Sequence, residues 1–311
     1  MKKVLTYVAV FLLGVICAYG IFVSVNDMNK PSKESDLTGK DTSKEEYIYK
    51  DDLLELGYSI DEITTIENKV SSTDVKKNLL TQKYDNLVSF ITSPYFKIEN
   101  IQRYEDYYLK NNTYSTDDIV IYVNIGLDNP FYTNITTIDN YKEITAIVNK
   151  YYNVNEDITF EDLVTLEKPY SSTGDEQVRK AIYDDLIKMI DTAKEEGINL
   201  FVISGYRTHE KQNTEFIANR SASKPGHSEH ELGLSVDFNL SNISFEKTKQ
   251  YEWLKQNSYK YGFIERYQKG KENITGFTYE PWHYRYVGIE VATKIYEENI
   301  TFEEYIVKYS K

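Results

Sequence analysis

The sequence has one cysteine, Cys17, among 311 residues, and no histidine before His209. With a single thiol no intrachain disulfide can form, so packing must hold the folded part, helped by any metal it binds. Basic residues are the second shortage. Thirty-six Lys and Arg stand against 49 Asp and Glu, a formal net charge of -13, and no basic stripe is present to gather phosphates. That excludes a general nucleic-acid binder. Tyrosine, by contrast, is abundant at 29 residues. Its apolar ring and polar tip suit wet, half-buried surfaces.

One long uncharged run stands out. Residues 4–25, VLTYVAVFLLGVICAYGIFVSV, follow Lys2 and Lys3. A helix needs about 20 such residues to cross a bilayer, whereas the apolar part of a signal peptide needs only about 7–15. The length favours residues 1–25 as an uncleaved transmembrane anchor. The alternative is a signal peptide cleaved near Ala18 or Gly20. The leading lysines predict a short inner N-terminus with the rest of the chain outside the cell. Cys17 follows Gly14, Val15 and Ile16, a poor lipoprotein site. Residues 26–46 have almost no large apolar side chain and read as a flexible spacer.

Folded sequence is expected from Tyr47. Ser59 and Glu62 form a capping box, and Ile60, Ile63, Ile66 and Val70 recur at helical spacing. Residues 47–118 read as a helical module, either packed on residues 119–311 or independent of them. From Ile119 the alternation in DDIVIYVNIGLDN predicts strand, broken at Asp128-Asn129-Pro130. Residues 175–196 predict the clearest helix, with Val178, Ile182, Leu186, Met189 and Ala193 as its apolar stripe and Gly197 behind it. INLFVIS predicts a buried strand ending at Gly205, and residues 246–260 predict a helix. HYRYVG reads as a strand, and helices over 288–299 and 301–310 come after it, the second with the capping box Thr301/Glu304. The fold class expected for 119–311 is α+β, with helices around a small, mainly antiparallel sheet.

All four histidines fall between residues 209 and 283. His227 and His230 lie in PGHSEHELGLSVDF, and His283 lies in EPWHYRYVG. Two neutral imidazoles and a carboxylate are a usual catalytic zinc set, with the fourth position left to water. His230 and Asp237 are seven apart and would face opposite sides of a straight strand. A turn at Gly233 would fold the chain back and join them, with Val236 and Phe238 in the core. His283 would complete the set from another strand. His227 is the competing ligand, otherwise placed at the mouth of the site, and His209 reads as an exposed residue at a helix start. Two readings stay open beside zinc: His230 and His283 as hydrogen-bonded core histidines, and a nonhaem iron site built on the same ligand types. Calcium would want oxygen ligands throughout. Glu280 is the candidate general base, and Arg207, in SGYRT, the candidate for holding a substrate carboxylate or a developing oxyanion. Each also has a plain structural alternative as an ordinary ion-pairing residue.

SGYRT with Gln212, PGHSEHELGLSVDF and EPWHYRYVG together resemble the zinc D-alanyl-D-alanine carboxypeptidases of the VanY type, within the LAS metallopeptidases. The resemblance covers about residues 119–290, including VNKYYNV, and says little about 47–112. It implies the LAS, or Hedgehog-like, zinc peptidase fold, and one Zn(II) per chain on His230, Asp237 and His283. It implies Glu280 as general base and acid, Arg207 as the group that stabilises the transition state, and Gln212 and Ser228 as substrate contacts. The implied substrate is the peptidoglycan stem peptide, cut before its terminal D-alanine, and the outward-facing anchor suits that substrate. An L,D-carboxypeptidase, a D-Ala-D-Ala dipeptidase and a non-catalytic wall-binding protein are the rival readings. The sequence departs from the family pattern at Thr208 (usually serine), at Ser235 (usually alanine) and in a shortened segment from Gln212 to Pro225, which touches the groove rim and not the metal.

Overall fold

The computed structural model describes residues 48–310. The expected anchor and spacer therefore lie outside the described residues. Among the described residues no helix is long and apolar enough to cross a membrane. The described residues form one compact unit.

Six short helices come first: α1 (Lys50–Glu55), α2 (Ile60–Lys69), α3 (Ser72–Asn78), α4 (Leu87–Ile91), α5 (Ile101–Lys110) and α6 (Thr116–Ile125). At α2 the Ser59 hydroxyl accepts from the Glu62 N–H while the Glu62 carboxylate accepts from the Ser59 N–H, so two otherwise orphaned donors are satisfied. Ile63, Ile66 and Val70 are buried in the core of these helices, whereas Ile60 stays exposed.

Helix α6 corrects the strand expected from Ile119. The Ser115 hydroxyl caps it by accepting from Asp118 N–H, Asp117 and Asp118 complement the helix dipole, and Gly126 ends it at φ +105°. The helix is apolar on two sides because it is buried on two sides. Ile119, Val120 and Val123 join the core of the first helices, while Ile121, Tyr122 and Ile125 pack with Ile274 and Val307 of the later chain. A helix buried all round loses the polar stripe that reveals its period, and its β-branched content then reads as strand. The helical segment thus runs past residue 118, to Ile125.

The second correction concerns residues 175–196. Glu176–Arg179 is a strand, β4, paired antiparallel with β3 (Leu163–Leu166), and the helix α7 covers only Lys180–Glu195. Val178 is buried from the strand, and Ile182, Leu186, Met189 and Ala193 are buried from the helix. Both elements feed one core, so a single apolar series spans two periods. Residues 246–260 also divide: Thr248 caps α9 (Lys249–Asn257), with three-ten turns before and after it.

The central sheet is antiparallel throughout, in the order β5 (Val202–Ser204), β6 (Ser235–Phe238), β8 (His283–Tyr286), β7 (Phe263–Glu265). Two two-stranded pairings accompany it, β3 with β4 and the short parallel β1 (Thr136–Thr137) with β2 (Tyr152–Asn153). Helix α7 lies against β3 and β4, and its apolar face shares a core with Val202, Leu234, Val236 and Phe238 of the central sheet region. Helix α8 (His209–Ala218) follows β5, and the one-turn α10 (Glu272–Thr275) precedes β8. The chain ends in α11 (Ile289–Glu298) and α12 (Phe302–Tyr309), and the Thr301/Glu304 capping box is formed. Helix α12 packs on α6, joining the last helix to the first group.

Candidate metal and catalytic site

The site lies where β6 and β8 run side by side. Asp237 is paired directly with His283, so two functional side chains leave neighbouring strands at the same level. Alternation along β6 turns Val236 and Phe238 into the core and Asp237 to the other face. His230 arrives from the three-ten turn Glu229–Leu232, which Gly233 closes at φ +64°. A Cβ on Gly233 would stand 2.8 Å from Cγ of Arg179, so both the backbone angle and the space require glycine here.

His230, Asp237 and His283 each offer one ligand atom, all within 4.8 Å of one another, and all three residues are buried. The other atoms of the rings fix which nitrogen is offered. His230 Nδ1 is 2.7 Å from the Gly205 carbonyl, which can only accept, so that nitrogen carries the proton and Nε2 faces Asp237 Oδ1 at 3.4 Å. In His283 the order is reversed: Nδ1 is 3.0 Å from Asp237 Oδ1, and Nε2 lies 3.4 Å from Glu229 Oε2. Two nitrogens and one carboxylate oxygen, oriented by outer partners, fit Zn(II) by number and type of donor.

The charges agree with a cation at this point. Burial alone would raise the Asp237 carboxyl, but His230 and His283 outweigh it and hold the group well below the usual carboxylate range. Burial, with Arg207 beside it, lowers His230 to about 4. Burial works the same way on His283, yet its bonds to Asp237 and Glu229 raise it to about 9. A proton on His283 therefore competes with a metal for the same lone pair, and metal affinity must fall as pH falls.

Sequence reasoning does not single out Glu229, though it stands between Ser228 and the candidate ligand His230. It is fully buried with Arg266 Nε at 2.7 Å and Arg285 Nη1 at 3.1 Å. Arg266 in turn makes two bonds to Glu303 of α12, at 2.9 and 2.6 Å. Burial opposes the Glu229 charge, and the two guanidiniums overcome it, so the carboxylate stays ionised. A charged residue beside a ligand, in a stretch otherwise running into the core, is the available signal.

Glu280 lines the same cleft of about 200 Å³ as Arg207, Ser228, His230, Asp237 and His283. Its N–H donates to the Tyr267 carbonyl at 3.1 Å and its own carbonyl accepts from His283 N–H at 3.2 Å, so one turn fixes Glu280 and His283 together. Burial pushes its carboxyl up to about 7, with His283 lowering and Asp237 raising it. Arg207 follows β5. Its Nε and Nη2 donate to Ser204 Oγ at 3.1 and 2.8 Å, Nη2 also donates to Asp237 Oδ2 at 3.2 Å, and Nη1 donates to Gln212 Oε1 at 3.2 Å. Gln212 is buried in α8 and its amide also donates to the Ser223 carbonyl, so both of its ends are held within the protein.

Two histidines lie elsewhere than expected. His227 does not line the mouth of the cleft. It is buried, with Nδ1 2.6 Å from the Asn149 carbonyl and its ring edge-on to Tyr132. His209 is half-buried rather than exposed, because its Nδ1 meets Glu231 Oε1 at 3.0 Å.

Residues 175–289 match the family described as VanY: D-alanyl-D-alanine carboxypeptidase. The chain is 38% identical over 196 residues to a putative carboxypeptidase, YodJ, of Bacillus subtilis (strain 168), covering 57% of this chain and 72% of the relative. It is 44% identical over 137 residues to a D-alanyl-D-alanine carboxypeptidase of Enterococcus faecalis (strain ATCC 700802 / V583), covering 38% of this chain but only 51% of that protein. Among solved structures it is similar to the LdcB LD-carboxypeptidase, described for its peptidoglycan recognition, at 36% identity and a TM-score of 0.53, covering 58% of this chain and 94% of that one.

Proposed function

Because this chain belongs to the VanY family of D-alanyl-D-alanine carboxypeptidases, we propose that it is a zinc carboxypeptidase that removes the C-terminal D-alanine of peptidoglycan stem peptides. The observation that carries this reading is the placement of Glu280, a desolvated carboxylate, in one cleft with the His230–Asp237–His283 cluster. Zinc, when bound by these three residues, polarises the scissile carbonyl and makes water more acidic. Glu280 accepts the proton of the attacking water and later gives it to the departing amine of D-alanine, a task suited to a carboxylate that burial makes more basic than usual. Arg207 donates to the oxyanion that forms. A guanidinium has five N–H donors, and four bonds to Ser204, Asp237 and Gln212 leave one, on Nη1, for substrate. Gln212 acts by positioning Arg207, and Ser228 contacts substrate from the cleft wall.

The likeness to an L,D-carboxypeptidase structure favours a second reading, cleavage of the tetrapeptide after its L-centred residue. Pentapeptide, tetrapeptide and free D-Ala-D-Ala incubated side by side, with released alanine measured, separate the readings. The pentapeptide is expected to lose one alanine. Cleavage of the tetrapeptide with the pentapeptide left whole would overturn the D,D assignment, and turnover of the free dipeptide alone would indicate a dipeptidase.

Residues 1–25 are proposed as a membrane anchor and 26–46 as a spacer, with the catalytic part outside the cell. Support comes from the uncharged run 4–25 behind Lys2 and Lys3, and from a substrate that lies outside the membrane. Protease added to intact cells should digest the catalytic part while it remains in the membrane fraction. Full protection of that part, or its release into the medium, would refute the placement.

A further inference from the structure

Two lysines at the edge of the catalytic cleft make no ion pair among the described residues, in a chain that carries 49 acids, and the carboxylate that acts on Lys150 at longer range is Glu280. Lys150 Nζ lies 3.8 Å from the ring centre of Phe277, which lines the cleft, and it donates to Tyr132 Oη at 3.1 Å. Lys224 follows Ser223, another cleft residue, and its Nζ stands 3.9 Å over the Tyr132 ring. Tyr132 therefore sits against both cations, with Lys150 Nζ 4.7 Å from its ring centre.

The arrangement is built rather than incidental. Tyr132 is held at φ +63°, a left-handed backbone that aromatic residues rarely adopt, and its N–H donates to the Lys150 carbonyl at 3.0 Å. The stem of Lys150 fills a place that only glycine leaves free: a Cβ on Gly276 would come within 2.8 Å of Lys150 Cγ and 2.9 Å of Phe131. Burial, with Lys224 nearby, lowers Lys150 to about 8, against the charge of Glu280, which raises it. Ring faces relieve part of the cost of a desolvated ammonium, but an anion relieves more.

Arg207 has one donor left and cannot make a paired clamp on a carboxylate. We propose that Lys150 and Lys224 form a carboxylate-binding rim of the catalytic cleft, which takes a carboxylate of the peptide substrate. The proposal rests on the peptidase reading above, and both a C-terminal and an interior carboxylate of the peptide have the required chemistry. Loss of such a charge-assisted contact weakens binding about ten- to a hundredfold.

The test uses the full zinc-loaded chain. In a Glu280→Gln background, slowed about 10²–10⁴-fold in turnover, Kd is measured calorimetrically for the stem pentapeptide, its C-terminal amide, and a form with interior carboxylates amidated. Lys150→Met combined with Lys224→Met is expected to raise Kd for the pentapeptide about ten- to a hundredfold, and Lys150→Arg to restore most of the loss. The same double variant should have no further effect on the one amidated peptide that lacks the recognised group, which identifies the source. Equal losses on all three peptides, or no loss on any, would refute the rim. With Glu280 intact, KM should rise while kcat stays within about twofold. A fall in kcat at constant KM would mean that the lysines act on Glu280 instead, and would equally overturn the proposal. If the wild-type chain cuts the tetrapeptide and not the pentapeptide, the bond assignment fails alone, because the Kd comparison still reads the rim.

Discussion

Glu280→Gln is expected to keep its zinc and lose about 10²–10⁴-fold in kcat. The substitution preserves shape and the backbone turn that joins residue 280 to His283, but an amide cannot accept the proton of the attacking water. The two consequences separate base from ligand, and elemental analysis beside steady-state kinetics reads both. Near-native turnover in a zinc-loaded Glu280→Gln protein would require a different base. The wild-type pH profile follows from the same group. A base works when deprotonated, so kcat/KM should fall as pH drops through the pKa of Glu280. Burial pushes that carboxyl up to about 7, and the charge of zinc, when bound, pulls it down, so the acid limb belongs below neutrality. A profile still rising through pH 9 would contradict this.

Removal of a ligand should have the other large effect. The wild-type chain is expected to carry about one zinc, the load of a three-ligand site. His230→Ala, Asp237→Ala and His283→Ala should each purify without it. His227→Ala should retain it, because that ring is bonded to the Asn149 carbonyl and stands outside the ligand cluster. Glu229→Gln falls between these extremes. The bond from His283 Nε2 to Glu229 turns Nδ1 toward Asp237, and loss of such an outer partner weakens metal binding by about 10–100-fold. Competition with a chromophoric chelator measures the series. Full zinc occupancy in His230→Ala, or an unchanged affinity in Glu229→Gln, would refute the corresponding role.

The candidate ligand cluster is legible in the sequence because its chemistry is carried by scarce residue types in tight motifs. Four histidines in one region, a glycine between His230 and Asp237, and apolar neighbours around the acid restrict the alternatives severely. The capping boxes at Ser59 and Thr301 are legible for a similar reason, since each is closed by residues three apart. Helix α6 reads as strand because burial on two sides removes its polar stripe. Strand β4 reads as helix because its one apolar core residue, Val178, falls in step with the helix behind it. In both cases periodicity reports the environment of a segment, and that environment comes from distant chain.

The sequence by itself determined the candidate ligands, the candidate base and the caps, because each depends on the identity of a few residues close together. Tertiary structure alone decided that Asp237 pairs with His283 across β6 and β8, that Glu229 and not solvent meets His283 Nε2, and that Arg207 has a single free donor. It also decided that Lys150 and Lys224, 74 positions apart in the chain, share one tyrosine ring. These relations join segments far apart in sequence, and they are set by strand register and by which charges burial leaves to be neutralised, neither of which is written in any local stretch.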